Sequence, residues 1–190
     1  MTDEAETDES LVSRFARGDA AAFEQLYERH ERRVWRYLQR NVDNRATADE
    51  LMQETWFAVA RDAVNFVPTA RFTSWLFAIA HHRMIDSIRA TRPHASLEVL
   101  GYEAAAVVTQ LTAEPGAGPL AATIERDERK ALLGAIEQLP AEQREAFLLQ
   151  VEGGLAVEEI ASVTDVSFET AKSRLRYARS KLREVLQEFA

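Results

Sequence analysis

The sequence predicts an all-α protein made of two small helical domains joined by a flexible acidic linker. Three observations carry that expectation. Apolar residues recur at three- and four-residue spacing along most of the 190 residues, the signature of amphipathic helices. No stretch sustains the apolar/polar alternation of a half-buried strand. Residues 94–118 break the pattern: they are rich in small and acidic residues, contain no Lys or Arg, and run into the PGAGP sequence that begins at Pro115, a linker composition. The expected layout is an acidic tail over 1–10, a helical domain over 11–93, the linker over 94–118 and a second helical domain over 119–190.

Each element has its own signal. A short helix is expected over residues 11–17, broken by Gly18, with Asp19 capping the next. Phe23, Leu26, Tyr27, Val34, Tyr37 and Leu38 then share one helical face. A turn follows over 41–44. Thr47 and Glu50 have capping-box spacing and predict a third helix running to about Val64. Pro68 marks a loop over 65–70, and a fourth helix carries Phe72, Trp75, Leu76, Ile79, Ile85 and Ile88 up to Pro93. Within the linker a transient helical turn is expected near 102–111. Helices resume from Leu120 to Leu139 and from Pro140 to about Glu152, where Gly153 and Gly154 end the second. A short helix Val157–Val163 and a long one from Ser167 complete the chain.

Composition narrows the function classes. The chain has no cysteine, which excludes disulfides and thiolate metal sites and fits a reducing compartment. No apolar run approaches the ~20 residues that span a bilayer. The N-terminus carries Asp3, Glu4, Glu6, Asp8 and Glu9, the opposite of a signal peptide, so a cytoplasmic location is expected. There is no HExxH, no glycine-rich phosphate loop, and His30, His81, His82 and His94 are scattered. No enzyme activity, metal or cofactor is expected.

The net charge of −8 is unevenly placed, and placement matters more than the sum. Residues 167–183 hold six basic side chains against Glu169 alone. They follow a pattern of short helix, turn and long helix: Val157, Ile160 and Ala161 form the apolar side of the first, and Thr164-Asp165-Val166 the turn. Asp165 sits where such turns often place glycine, and Asp tolerates the left-handed conformation. In the long helix, Phe168, Ala171, Leu175, Ala178, Leu182, Val185 and Phe189 form the expected buried stripe. Lys172, Arg176, Arg179 and Arg183 share another face, with Ser173, Tyr177 and Ser180 near them. A basic ridge with hydroxyls at its N-terminal end suits a DNA major groove, with cations for phosphates and polar tips for base edges. The competing reading is an ordinary solvated charged face.

A family resemblance adds to this. The run TAKSRLRYAR from Thr170 to Arg179 resembles the fourth-region signature of bacterial extracytoplasmic-function (ECF) sigma factors, and LPAEQREAFLL from Leu139 to Leu149 resembles the start of that region. ADELMQET from Ala48 to Thr55 resembles the second-region motif that binds RNA polymerase. WLFAIA from Trp75 and IDSIR from Ile85 resemble the segment that opens and reads the minus-ten element. The resemblance spans roughly residues 11–92 and 119–186. It implies a sigma factor that binds core RNA polymerase and directs initiation at promoter DNA. Polymerase binding would fall to Asp49, Glu50 and Gln53 with Leu51 and Met52. The minus-ten element would be met by Asn65, Phe66, Phe72, His81, His82 and Arg83, with a flipped base stacked beside an aromatic ring. The minus-thirty-five element would be read by Lys172, Ser173, Arg176 and Tyr177, with Glu169, Thr170 and Arg179 beside them. Trp75 is expected in the core.

Three departures from the family pattern stand out. His81-His82 replaces a common Arg-Asn pair, Glu169 replaces a frequent glycine, and Thr47 stands where many members carry an acid. Thr47 is therefore a candidate phosphosite for a Ser/Thr kinase, set against the simpler role of helix N-cap. The resemblance also implies an anti-sigma protein as a partner. The alternatives are a conventional helix-turn-helix regulator that binds duplex DNA without polymerase, and an all-helical adaptor with no nucleic-acid role.

Overall fold

The structure, a computed structural model, describes residues 6–67, 70–91 and 129–187, and every regular element among them is helical. The expected linker over 94–118 and the turn near 102–111 lie outside the described residues. In chain order the helices are α1 (Asp8–Ala16), α2 (Ala20–Asn41), α3 (Arg45–Asp62) with a short 3-10 turn (Ala63–Asn65), and α4 (Phe72–Thr91). They continue with α5, described over 129–137, then α6 (Ala141–Val151), α7 (Val157–Val163) and α8 (Phe168–Gln187).

The helix starts follow side-chain capping. Thr7 caps α1 by accepting the Ser10 N–H at 3.3 Å. Asp19 caps α2 through the Ala21 N–H at 3.1 Å, as expected. The start of α3 differs from expectation: Asn44 is the N-cap and accepts the Thr47 N–H at 2.9 Å. Thr47 therefore lies inside the first turn and is not the cap. Asn caps at least as well as Thr, and placing it three residues earlier extends the helix. Ser167 caps α8 by accepting the Thr170 N–H at 3.1 Å.

The acidic N-terminus is not a loose tail from residue 6 onward. Asp8 and Glu9 open α1, where carboxylates favour the positive end of the helix dipole. Glu9 also accepts the Phe72 N–H at 2.8 Å, satisfying an orphan donor at the start of α4. Asp8 bridges to α2, meeting His30 Nε2 at 2.7 Å and Arg29 at 2.9 Å.

The core of the N-terminal half is built from Leu26, Val34, Tyr37 and Leu38 of α2, Leu51, Trp56 and Val59 of α3, and Phe72, Leu76 and Phe77 of α4. In the C-terminal half, α8 packs on α6 and α7 around Leu148, Leu149, Leu155, Ile160, Leu175 and Leu182. The halves also pack on each other, α6 against α2 and α7 against α4. Gly153 lies at this junction: a Cβ there would sit 2.5 Å from the Leu149 carbonyl oxygen and 3.3 Å from the Phe77 ring, so only glycine permits the approach.

Burial alone would raise the Asp8 carboxyl, but hydrogen bonds from His30 and Arg29 outweigh it and hold it below the ordinary 3.8. A depressed carboxyl contributes stability above its unfolded pKa and loses it as pH falls through the folded one. Asp8→Ala should lower the unfolding free energy at neutral pH by about 2 kcal/mol in urea titrations. The deficit relative to wild type should shrink below pH 3.8.

Candidate nucleic-acid interface

The α7–α8 pair is a helix-turn-helix. Asp165 adopts φ +52° in the turn, the left-handed conformation its side chain tolerates. The turn is held by the Val166 N–H donating to the Ala161 carbonyl at 3.0 Å and by the Thr164 hydroxyl donating to the Ile160 carbonyl at 2.8 Å. Ala171, Leu175, Ala178 and Leu182 are buried and Val185 is half-buried. Two of these are alanines, which let α8 lie close against its neighbours. Phe189 lies outside the described residues.

Phe168 departs from the expected stripe, being 41% exposed. As the first residue of α8 it precedes the packed seam, which begins at Ala171. The Lys172 ammonium lies 5.6 Å from its ring centroid instead, a cation–π contact.

The basic ridge faces solvent. Lys172, Arg176, Arg179 and Arg183 are exposed, as are Glu169 and Thr170, while Ser173 is half-buried. Tyr177 is 55% exposed, with the Arg176 guanidinium 5.0 Å from its ring centroid. Glu169 pairs with Lys172 at 3.7 Å, and the Arg179 guanidinium donates to Gln150 at 2.5 Å. Arg174 is turned away, paired with Glu142 at 2.7 Å.

The residues expected at the minus-ten element are divided by burial. Asn65 is exposed beside Val64 and Val67, Phe66 is half-buried, and Phe72 is fully buried. Phe66 packs edge-on to Phe72 with centroids 6.2 Å apart and lies 5.2 Å from the Trp75 ring. Phe72 therefore supports the loop from beneath and offers no face of its own. His82 is exposed and Arg83 half-buried, but His81 is buried, its Nδ1 donating to Glu145 at 2.5 Å.

On α3, Asp49, Glu50 and Gln53 face solvent, whereas Leu51 and Met52 are core residues. Those two hold the helix in place from below. Trp35 Nε1 donates to Asp49 at 2.8 Å. The residue missing from the sequence-based set is Phe57, 72% exposed. It lies four residues beyond Gln53 and seven beyond Glu50, hence on their face. That spacing was a usable signal, but an aromatic next to Trp56 reads as core until one of the two is seen outside.

Among the described residues no group of His, Asp or Glu could hold a metal ion, and no helix is long and apolar enough to cross a membrane. A helix-turn-helix with a basic outer face, carried beside a helical bundle with an exposed acidic face, defines a DNA-binding protein of transcription. The comparisons specify it further. Residues 26–93 match the sigma-70 region 2 family and residues 129–182 match sigma-70, region 4. The chain is 35% identical to the RNA polymerase sigma factor CarQ of Myxococcus xanthus, over 94% of this chain and 97% of that one. It is 30% identical to the ECF RNA polymerase sigma factor SigK of Mycobacterium tuberculosis, over 94% and 92%. The fold matches CnrH in complex with the cytosolic domain of CnrY, with TM-score 0.65 and 23% identity over 97% of this chain and all of that one. It also matches Bartonella quintana RpoE in complex with the anti-sigma factor NepR, with TM-score 0.65 and 22% identity over 87% and 96%. The chain belongs to the ECF sigma factors, which direct RNA polymerase to specific promoters.

The turn offers a check on the helix-turn-helix geometry. Asp165→Gly should raise stability by about 0.5 kcal/mol, because glycine adopts positive φ without a Cβ penalty. Asp165→Val should lower it by more, both read by thermal unfolding.

Proposed function

We propose that this sigma factor divides promoter recognition between its two halves. Residues 119–190 read the minus-thirty-five element through α8, and residues 11–93 bind core polymerase and the minus-ten element. The observation that carries the minus-thirty-five assignment is the exposed ridge Lys172, Arg176 and Arg179 on a helix whose other face is packed through Ala171, Leu175, Ala178 and Leu182. Lys172, Ser173, Arg176 and Tyr177 are the base readers, with Thr170 and Glu169 at the ridge's N-terminal edge. At the minus-ten element the accessible groups are Asn65, Phe66, His82 and Arg83.

For polymerase, the exposed α3 face of Asp49, Glu50, Gln53 and Phe57 combines carboxylates with one large apolar side chain. Charge complementarity steers the encounter, and a buried aromatic supplies most of the affinity at such a contact. An anti-sigma protein is a second partner, by likeness to the Bartonella quintana factor.

Reconstituted transcription tests this function. The purified chain with core polymerase should initiate at a cognate promoter and neither should do so alone. A protein that shifts duplex DNA unaided and never confers initiation would be a conventional regulator instead. Lys172→Ala with Arg176→Ala should weaken minus-thirty-five binding by about 10- to 100-fold and flatten its dependence on salt. Phe57→Ser should leave thermal stability near wild type and lower affinity for core polymerase about tenfold in a titration.

A further inference from the structure

Helix α1 meets both ends of the segment that carries Asn65 and Phe66. It packs on the 3-10 turn Ala63–Asn65 and on α4, and Leu11, Val12 and Ala63 are all buried. At the other end Glu9 reaches the first residue of α4, where its Oε1 accepts the Phe72 N–H at 2.8 Å. This is a helix cap supplied from across the chain. The residue before α4 is Arg71, whose guanidinium carries donors only and cannot accept an N–H. It donates instead to the Gly154 carbonyl at 3.3 Å and to Glu159 at 2.9 Å. The acceptor that a local Ser, Thr, Asp or Asn would provide therefore comes from α1.

The cap is itself anchored. Asp8, next to Glu9, meets His30 Nε2 at 2.7 Å and accepts from Arg29 at 2.9 Å, and the His30 ring lies 5.4 Å from the Phe72 ring. Two adjacent carboxylates bracket Phe72, one at its backbone and one through the imidazole beside its ring. Phe72 passes the constraint outward: Phe66 packs edge-on to it at 6.2 Å, and Trp75 lies 6.0 Å from Phe72 and 5.2 Å from Phe66. The Phe66 N–H closes the 3-10 turn on the Ala63 carbonyl at 3.2 Å, so Asn65 and the Phe66 ring share one frame.

We propose that α1 is a clamp for base selection at the minus-ten element, and that Glu9 is its positioning residue: by accepting the Phe72 N–H it fixes the start of α4 and, through the Phe72 ring, the placement of Phe66 and Asn65. The clamp rests on the proposed assignment of Asn65 and Phe66 to that element. A pocket discriminates between bases only when the side chains lining it are locked by groups beneath them. A backbone N–H bonded to a carboxylate is a charge-assisted contact, well suited to hold the one buried ring on which the segment leans. Glu9 touches no DNA in this role.

The test uses the full-length chain assembled with core polymerase. Its ligands are single-stranded oligonucleotides of the non-template minus-ten strand of a cognate promoter and their single-base variants, with binding read by fluorescence anisotropy. Glu9→Ala should weaken binding of the cognate strand about tenfold and bring cognate and variant strands within about twofold of each other. Glu9→Gln keeps an amide oxygen that accepts the Phe72 N–H and should retain the preference. Neither variant should change affinity for core polymerase or for a minus-thirty-five duplex. In the free chain, followed by NMR, the Phe72 amide should exchange with solvent about tenfold faster in Glu9→Ala than in wild type.

Two further variants separate positioning from plain stability. Glu6→Ala alters the same acidic segment, but Glu6 bonds to Ser10 and Arg14, and the base preference should persist. Asn41→Ala removes a buried hydrogen bond to the Tyr37 carbonyl at 2.8 Å, at the C-terminal end of α2. It should lower the melting temperature and leave the preference intact. A Glu9→Ala chain that still discriminates, or an Asn41→Ala chain that loses discrimination as fully, would overturn the clamp. A wild type indifferent to minus-ten sequence, with the Phe72 amide still freed by Glu9→Ala, counts against the assignment of Asn65 and Phe66 and removes the clamp's role with it. The exchange measurement uses neither polymerase nor DNA, so the two failures are told apart.

Discussion

The relation between the two halves centres on Glu145, held between Tyr37 and His81 and flanked by the Arg36–Glu152 and Arg71–Glu159 contacts. Its donors come from α2 and α4, so a single group on α6 fixes the C-terminal half against two helices at once. Removing that half would take their shared acceptor from both the Tyr37 hydroxyl and His81 Nδ1. Apolar contact brings the halves together without direction. The carboxylate contacts give one register, which is what buried polar groups do better than apolar ones.

Charge is organised along the same division. The protein is acidic overall, yet its acids and bases are not mixed evenly. Glu145, Glu152 and Glu159 face inward onto the N-terminal half, Asp49 and Glu50 face outward on α3, and Lys172, Arg176 and Arg179 face outward on α8. A chain of net charge −8 is repelled by DNA at long range. One exposed basic helix is a modest counterweight, so the proposed promoter recognition calls for polymerase to add contacts of its own. This agrees with a dissociable specificity subunit and, on the proposed assignment of α8, with its basic face standing uncovered in the free protein.

Much of the fold was legible because its signals are local. Asp19 caps α2, Asp165 takes the left-handed turn, and Val157–Val163 forms where its spacing places it. The departures arise where several local signals compete. Asn44 displaces Thr47 as the cap of α3, and Phe168 has the right spacing for the stripe but falls before the seam begins. The N-terminal acids looked like solvating charge, because nothing adjacent in sequence reveals that Glu9 meets Phe72 or that Asp8 meets His30. The exposed faces of α8 and α3 were readable from residue spacing. Burial was not readable there, as Phe72, His81, Leu51 and Met52 show. The carboxylate contacts between the halves join residues 64 to 116 positions apart, beyond the reach of any periodicity argument.

The most direct test places a photo-crosslinking side chain at Arg183, at the far end of the basic ridge of α8, and asks what it reaches on a labelled promoter. The account predicts strong crosslinks around the minus-thirty-five element when core polymerase is present, and little crosslinking by the free chain at the same concentration. Equal crosslinking with and without polymerase, or an initiating complex in which α8 reaches no upstream DNA, would contradict it.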